Sequence, residues 1–253
     1  MLEALIFDID GTVAETEDLH RRAFNLAFEE HEVELAWDAR EYRRLLRVHG
    51  GCERIASALA ELGTYRPPEE LAAIHAAKTR YYTMLLGSRA TPWRPGVRRL
   101  MQEAGEAGMG VALATTTTQA NLDPLFVPVL GKGWRALFAA IVAGNMVPRK
   151  KPAPDVYVEA LWSMGVRAES AVAFEDSAAG VASARAAGVA VVATPSAWLA
   201  GDDLSAADLV VEHLGDPARP WSEPCPVLGQ HWVALEALGS WHEQRSTACS
   251  RGA

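Results

Sequence analysis

Short apolar runs recur along the chain and predict buried strands. They are "ALIF" (4–7), "GVALAT" (110–115), "AVAF" (171–174) and "VAVVAT" (189–194). Continuous apolar runs of this length are typical of parallel strands, because both faces of such strands are covered by other parts of the protein. Helical patterns separate the later runs. The chain therefore predicts an α/β fold built on a parallel sheet.

Two segments between these runs repeat apolar residues at helical spacing. One predicted helical face consists of Val97, Leu100, Met101 and Ala104, and another consists of Tyr157, Leu161 and Met164. Gly165 and Gly188 stand where helices are expected to end, because glycine adopts the left-handed conformation at a helix C terminus without strain.

The alternation of strand and helix disappears between residues 16 and 88, where the pattern is helical and polar throughout. Thr16 is the predicted N-cap of the first helix there, with Glu17 and Asp18 in its first turn. The Gly- and Pro-containing stretch 87–96 reads as a linker back to the first domain. The predicted domains are a core of 1–15 and 92–253, whose last part (216–253) is a Pro-rich extension with a short final helix, and a helical cap of 16–91.

Composition narrows the class of protein. With 253 residues, of which 49% are hydrophobic, the chain can bury a large core without disulfides. Its formal charge of −8 argues against sequence-independent binding to nucleic acid, because such binding depends on clustered Lys and Arg. An acidic chain can still bind a small phosphorylated substrate when a metal ion and a few cations act locally.

Cysteine usage and hydropathy indicate a cytoplasmic protein. Cys52, Cys225 and Cys249 are odd in number and lack CxxC spacing, so neither a disulfide framework nor a zinc site is predicted. The most apolar region is interrupted by Arg185 and Pro195, and the first ten residues lack a basic leader. We expect neither a signal peptide nor a membrane span, and a soluble protein.

The first apolar run ends in "DIDGT", which places Asp8 and Asp10 at the mouth of a buried strand. Acidic residues at such turns often only cap the next helix. An EF-hand calcium loop requires Gly and Glu at two later positions, and Val13 and Leu19 stand there instead. The pair by itself therefore leaves capping and catalysis both open.

Other chemically active residues follow the other apolar runs. Thr115 ends the second run, Glu175 and Asp176 follow "AVAF", and Lys151 lies in the loop "PRKKPAP". Each has an ordinary explanation as a cap, a turn or a solvated charge. Together they predict one site, because ligands of open α/β sheets bind at the carboxyl ends of the strands.

The motif set "DIDGT", "LATT", "RKKPAP" and "FEDSAAG" resembles that of the haloacid dehalogenase-like (HAD) hydrolase superfamily. The resemblance covers nearly the whole chain. It implies a Rossmann-like parallel-sheet core, an inserted α-helical cap that acts as a lid over the strand ends, and the chemistry of a phosphoric monoester hydrolase.

Phosphate esters need charge neutralisation before an anionic group can attack them. Mg²⁺ supplies it and prefers carboxylate oxygens, which suits Asp8, Asp176 and, directly or through water, Glu175. By resemblance, the backbone carbonyl of Asp10 completes the metal site. The roles that the resemblance implies are a nucleophile that forms an aspartyl-phosphate (Asp8), a general acid and base (Asp10), a hydrogen-bond donor to the phosphoryl group (Thr115) and a charge-balancing cation (Lys151).

Within the superfamily the chain is most similar to the CbbY branch, sugar-phosphate phosphatases linked to the Calvin cycle that act on xylulose 1,5-bisphosphate. The stretches that carry this likeness are "TEDLHRRAFN", "VHGGCERI", "LATTTTQAN" and "VPRKKPAPDVY". Mapped by motif, the candidate contacts to substrate in the cap are Glu17, His20 and Arg54.

Two positions depart from the pattern of this branch. Cys52 stands where lysine is expected in "GGKER", and Glu15 replaces the commoner aspartate. The missing lysine removes one cation for a distal phosphate, which Arg54 or Arg47 can replace, because guanidinium groups bind phosphate bidentately. Thr116 and Thr117 are further candidates for lining the substrate cavity.

Two alternatives to a sugar-phosphate phosphatase stay open. A β-phosphoglucomutase-type enzyme shares every core motif, and only its reaction distinguishes it. A non-catalytic metal- or phosphate-binding regulator on the same fold is the second, although such a protein has no need of both Asp8 and Asp10. A dehalogenase has little use for paired magnesium carboxylates. The expected partner is a small phosphorylated sugar, and no protein partner is evident.

Overall fold

The structure is a computed structural model that describes residues 1–48, 50–88 and 91–251. Residues 89 and 90 of the predicted return linker lie outside this description, as does the side chain of Cys249. None of the helices in the described part of the chain combines the length and the apolar character needed to cross a membrane.

A parallel sheet of six strands forms the centre of the fold, in the order β3-β2-β1-β4-β5-β6. Its strands are β1 (Ala4–Phe7), β2 (Gly110–Ala114), β3 (Ala140–Val142), β4 (Ala171–Glu175), β5 (Ala190–Ala193) and β6 (Leu209–Val210). The four apolar runs correspond to β1, β2, β4 and β5. The α/β prediction is therefore confirmed, while β3 and β6 were not predicted.

Nine α-helices lie within the described residues. They are α1 (Glu17–Glu30), α2 (Ala39–Leu45), α3 (Gly51–Glu61), α4 (Pro68–Ser88), α5 (Val97–Glu106), α6 (Leu122–Leu130), α7 (Asp155–Met164), α8 (Ala178–Ala186) and α9 (Leu235–Arg251). Short 3-10 helices cover Gln119–Asn121, Trp134–Leu137 and Ala168–Ser170.

The helical periodicity identified the correct buried faces. Helix α5 buries the four residues that the pattern selected, and α7 buries Tyr157 and Leu161, with Met164 partly buried at its end. Gly165 follows α7 with φ of +66°, as expected of a left-handed C-terminal residue. Thr16 is the N-cap of α1, but its side chain makes no capping hydrogen bond.

The register of the sheet brings the ends of three strands together. Phe7 of β1 is opposite Leu113 of β2 on one side and Phe174 of β4 on the other. The backbone N–H of Asp8 then donates to the carbonyl of Phe174 at 3.0 Å. Residues that follow β1, β2 and β4 therefore share one edge of the sheet. Glu175 is itself the last residue of β4, rather than the first residue after it.

The chain divides into two compact units. Unit 1 comprises Met1–Glu15, Pro92–Gln119 and Leu130–Ala253, and unit 2 comprises Thr16–Thr91 and Ala120–Val129. The sequence assigns the segment 120–129 to the core, but in the structure this segment clusters with unit 2. There, Thr83 Oγ1 donates to the side chain of Asn121 at 2.9 Å.

Each unit has its own apolar core. In unit 1, the faces of the sheet are covered by helices such as α5, α7 and α8. In unit 2, α1 packs along α4, and an aromatic cluster joins α1 to the following loop and α2. The members of that cluster are Phe24, Phe28, Trp37 and Tyr42.

Candidate active site

The centre of the site is an ammonium group held between two carboxylates. Lys151 Nζ lies 2.6 Å from Asp8 Oδ1 and 2.6 Å from Glu175 Oε1, and it donates a third hydrogen bond to the carbonyl of Ala114 at 2.8 Å. All three charged side chains are buried. Lys151 thus connects the carboxyl ends of β1, β2 and β4 and brings three of the candidate site residues together.

Burial shapes the electrostatics of this cluster. It raises the pKa of Asp8 from 3.8 to about 8, against the opposing effect of Lys151. Burial also disfavours the charged form of Lys151, but Asp8 and Glu175 outweigh it and raise the pKa of the ammonium above its ordinary value. Because Glu175 is a second partner, Lys151 can stay charged while Asp8 holds a proton.

The site fits a divalent cation. Asp8, Glu175 and Asp176 are all buried, and each offers an oxygen within 4.8 Å of the others. Glu175 Oε2 is buried without a hydrogen-bond partner, which is costly for a carboxylate oxygen unless a cation binds it. Three acidic groups and one ammonium in this cluster leave negative charge that Mg²⁺ would balance. Asp8, Glu175 and Asp176 are therefore the residues that would hold it.

Two glycines make room for these carboxylates. A Cβ at Gly11 would lie 1.9 Å from Asp176 Oδ2, and Gly11 has φ of +85°. A Cβ at Gly180 would lie 1.8 Å from Glu175 Oε2. A side chain at either position would displace a buried carboxylate, so the glycines of "DIDGT" and "FEDSAAG" keep Asp176 and Glu175 in place.

The remaining core residues predicted for the site lie close to this cluster in the chain. Asp10 is half-buried, two positions after Asp8, and its charge acts to raise the pKa of Asp8. Thr115 is buried directly after Ala114, and its Oγ1 accepts the backbone N–H of Thr117 at 3.1 Å. This contact orients the Thr115 hydroxyl, whose own O–H can donate elsewhere. Thr116 is exposed and Thr117 is half-buried.

Tyr157 joins the cluster, although the sequence analysis gave it only a packing role. Its hydroxyl donates a short hydrogen bond to Glu175 Oε1, the oxygen that Lys151 also contacts. Burial and the charge of Glu175 raise the pKa of Tyr157 well above its usual value, so it acts as a donor. A tyrosine on the buried face of the helix after "RKKPAP" was the signal available in the sequence, since buried hydroxyl groups need partners.

In unit 2, two of the predicted cap residues meet through a tyrosine. Tyr42 Oη donates to Glu17 Oε2 at 2.9 Å and accepts from Arg54 at 3.2 Å. Arg54 also donates to the carbonyls of Leu45 and Val48. All three nitrogens of this guanidinium thus have partners inside unit 2. Arg54 stabilises the turn after α2 and is also a candidate contact to substrate.

His20, the third predicted cap residue, is paired with a lysine that the sequence analysis missed. His20 Nδ1 lies 2.7 Å from Lys78 Nζ, and the imidazole stacks on Tyr82. Lys78 is buried on the same face of α4 as Ile74 and Tyr82, four residues before and after it. A lysine at a core position of an amphipathic helix was the signal in the sequence.

The other predicted positions of unit 2 are less constrained. Arg47 is exposed in the turn after α2. Cys52, at the position where lysine was expected, lies in the first turn of α3, and its Sγ is 3.9 Å from the carbonyl of Leu71. It supplies no charge.

Comparison with known proteins decides the family. A family model for haloacid dehalogenase-like hydrolases matches residues 2–188, which is more than half of the chain. The chain belongs to this hydrolase family. The resemblance inferred from the four motifs is thereby confirmed, and the protein is an enzyme, as predicted.

Relatives of this HAD hydrolase come from several bacteria. Protein CbbY of Cupriavidus necator is 46% identical over 246 residues, which cover 95% of this chain and 97% of the relative. A phosphorylated carbohydrates phosphatase of Thermotoga maritima is 31% identical, covering 74% of this chain and 82% of its own length. These similarities place the HAD hydrolase among the phosphatases of its family.

Solved structures of CbbY from Rhodobacter sphaeroides have the same fold. One is in complex with phosphate, with a TM-score of 0.78 and 42% identity, and covers 84% of this chain and 95% of that chain. The other is a mutant in complex with xylulose-(1,5)bisphosphate, with a TM-score of 0.79 and 41% identity, and covers 86% of this chain and 98% of that chain. The similarity to the CbbY branch is therefore confirmed.

Proposed function

We propose that this HAD hydrolase is a Mg²⁺-dependent phosphatase of sugar phosphates, with a ketose bisphosphate such as xylulose 1,5-bisphosphate as substrate, and that it acts through an aspartyl-phosphate. The observation that carries the proposal is the Asp8 carboxyl, held by Lys151 beside Glu175 and Asp176. The crystal structure of a 41% identical CbbY with xylulose-(1,5)bisphosphate supports the choice of substrate.

In the proposed reaction, Asp8 attacks phosphorus and the bond from phosphorus to the sugar oxygen breaks. The Asp10 carboxyl gives its proton to that leaving oxygen, and afterwards takes a proton from the water that attacks the aspartyl-phosphate. Inorganic phosphate leaves and the Asp8 carboxylate is restored. Two carboxyl groups are needed because a nucleophile bonded to phosphorus cannot also exchange protons.

Two further residues stabilise the charge that develops on the phosphoryl group. Lys151 supplies a fixed positive charge in a buried environment, where electrostatic interactions are stronger than in water. Thr115 donates a hydrogen bond to a phosphoryl oxygen. Asp8, Asp176, Glu175 and the backbone carbonyl of Asp10 would hold Mg²⁺, which when bound would neutralise further phosphate charge.

We assign recognition of the sugar and its second phosphate to unit 2, which is the cap in this proposal. Glu17, His20 and Arg54 are its candidate contacts, and Lys78 adds a cation that Cys52 does not provide. Thr116 and Thr117 of unit 1 are further candidate contacts to substrate. No protein partner forms part of this proposal, and we propose that the enzyme works in the cytoplasm on Calvin-cycle metabolites.

The test is a phosphate-release assay across sugar mono- and bisphosphates, with Mg²⁺ and with excess EDTA. We expect the highest kcat/KM with a ketose bisphosphate and no turnover in EDTA. Isomerisation of a hexose 1-phosphate to its 6-phosphate, without release of phosphate, would identify a mutase instead. Binding of Mg²⁺ without either reaction would identify a non-catalytic regulator.

A further inference from the structure

Arg94 is a buried arginine that no part of the proposed mechanism uses. It lies two residues after Pro92, where the chain re-enters unit 1, and only 10% of its side chain is exposed. Its backbone N–H donates to the carbonyl of Val13, and the neighbouring residues Ala14 and Trp93 pair as an antiparallel bridge. The segment that carries Arg94 is therefore fixed against the loop that follows β1.

The guanidinium of Arg94 contacts the loop that carries Asp8 and Asp10 and the loop that follows β5. One nitrogen, Nη1, donates to the carbonyl of Gly11, next to Asp10, and to the carbonyl of Thr194 at 2.7 Å. Thr194 in turn donates its backbone N–H to the carbonyl of Glu175 at 2.7 Å. A single group thus connects the loop of Asp8 and Asp10 with the end of the strand that carries Glu175.

The rest of the guanidinium completes this connection. Nη2 donates to the carbonyls of Pro195 and Glu212 at 2.9 and 3.1 Å. Nε lies 3.5 Å from Glu15 Oε1, while the other carboxylate oxygen of Glu15 accepts from Ser196 at 2.9 Å. Glu15, one of the two departures from the CbbY pattern, is therefore a counter-charge that orients Arg94.

We propose that Arg94 is a positioning residue, which holds the Asp10 backbone and the Glu175 strand end at the separation that the proposed metal and phosphoryl sites require. The inference rests on the proposed function. A lysine cannot replace Arg94. The two terminal nitrogens of the guanidinium bind separate sets of carbonyls, and the single ammonium nitrogen of lysine cannot reach both sets. Small displacements of catalytic groups lower the rate strongly, since a shift of about 1 Å can reduce it roughly 10²-fold.

Arg99 provides a matched control within unit 1. It is also largely buried, at 17% side-chain exposure, and donates to the backbone carbonyls of Leu214, Gly215 and Val233. These acceptors belong to the C-terminal part of the chain and not to the loops that carry the candidate catalytic residues. Loss of Arg99 therefore removes a comparable set of hydrogen bonds without disturbing the site.

The experiment compares the full chain with Arg94→Lys and Arg99→Lys. It measures thermal unfolding, Mg²⁺ affinity by calorimetry and kcat with p-nitrophenyl phosphate. We expect similar losses of thermal stability in both variants, but only Arg94→Lys should weaken Mg²⁺ binding about tenfold and lower kcat about 10²-fold. Wild-type Mg²⁺ affinity and kcat in folded Arg94→Lys, or equal losses in both variants, would overturn the proposal.

A second variant covers the case in which Arg94→Lys does not fold. Glu15→Gln keeps the shape of the side chain and removes the charge opposite Arg94. It should therefore weaken Mg²⁺ binding several-fold. Unchanged Mg²⁺ affinity and unchanged kcat in this variant would contradict the proposal. If the wild type binds Mg²⁺ but hydrolyses no phosphate ester, the proposed function is wrong. The Mg²⁺ affinities of Arg94→Lys and Arg99→Lys would still test the role of Arg94. A wild type that binds no Mg²⁺ would defeat both.

Discussion

The ammonium of Lys151 lies 2.6 Å from Asp8 Oδ1, although 143 positions separate the two residues in the chain. Because the pair is buried, neither group gains the solvation that an exposed charge has, and each depends on the other and on Glu175. The proposed nucleophile is thus oriented by a buried cation.

We expect Asp8→Asn to abolish turnover while the protein stays folded. The amide has nearly the same shape as the carboxyl group but cannot attack phosphorus, and loss of a nucleophile costs roughly 10⁶ in rate in a comparable covalent enzyme. Phosphate release and thermal unfolding measure the two effects. Asp203→Asn, which changes an exposed carboxylate in the loop after β5, is the control and should retain full activity. Substantial residual hydrolysis by Asp8→Asn would exclude Asp8 as the nucleophile.

The metal-free protein should lose stability as the pH rises. Burial raises the pKa of folded Asp8 to about 8, whereas the unfolded chain has the ordinary value near 3.8. Between these values the folded state holds a proton that the unfolded state has released, so the free energy of unfolding falls with pH by up to about 1.4 kcal/mol per unit.

Denaturant titrations in EDTA between pH 5 and 8 test this dependence. Asp8→Asn carries no titrating carboxyl at this position, so its stability should decline less steeply than that of the wild type. The difference between the two curves isolates Asp8, because other titrating groups affect both proteins. Parallel curves across the range would contradict the raised pKa.

Asp10→Asn should keep Mg²⁺ binding and lose turnover. In the proposed mechanism the metal uses the backbone carbonyl of Asp10, which the substitution preserves, while proton transfer needs the side-chain carboxyl. Calorimetry with Mg²⁺ and a phosphate-release assay measure the two properties. Asp176→Asn is the comparison that should lose metal affinity as well. A collapse of Mg²⁺ binding in Asp10→Asn would favour a purely metal-binding role for that side chain.

Arg54→Ala should impair use of a sugar bisphosphate more than use of p-nitrophenyl phosphate. Loss of a charge-assisted contact to a distal phosphate costs about 1.5–3 kcal/mol, or roughly ten- to hundred-fold in kcat/KM. The small ester has no distal phosphate to lose. Arg54 also donates to the carbonyls of Leu45 and Val48, so the variant should unfold at lower temperature.

The control for Arg54 is Arg44→Ala, which removes an exposed arginine paired with Glu41 and Glu61 in the same unit. It should leave the ratio of kcat/KM values for the two substrates unchanged. An equal decline with both substrates in Arg54→Ala would assign Arg54 to the stability of unit 2 and remove the main support that this chain's own residues give to a bisphosphate substrate.

Much of the fold is encoded locally. The four predicted strands are runs of apolar residues long enough to be read without a partner, and the buried face of α5 follows from periodicity alone. Strands β3 and β6 have three and two residues, which is too short for any local pattern. Helix α6 looked like part of the core, because the sequence does not show which unit an apolar helix packs against.

For the candidate site, too, the sequence predicted one part and packing decided the other. The order of the motifs placed Asp8, Thr115, Glu175 and Asp176 at one sheet edge, because the carboxyl ends of parallel strands coincide. Their partners depended on packing: the hydroxyl of Tyr157 meets Glu175, and Lys78 meets His20. Such contacts join side chains from elements far apart in sequence, and their direction is set only when the helices pack. Sequence alone determined which chemistry the chain carries, and tertiary structure decided which groups orient it.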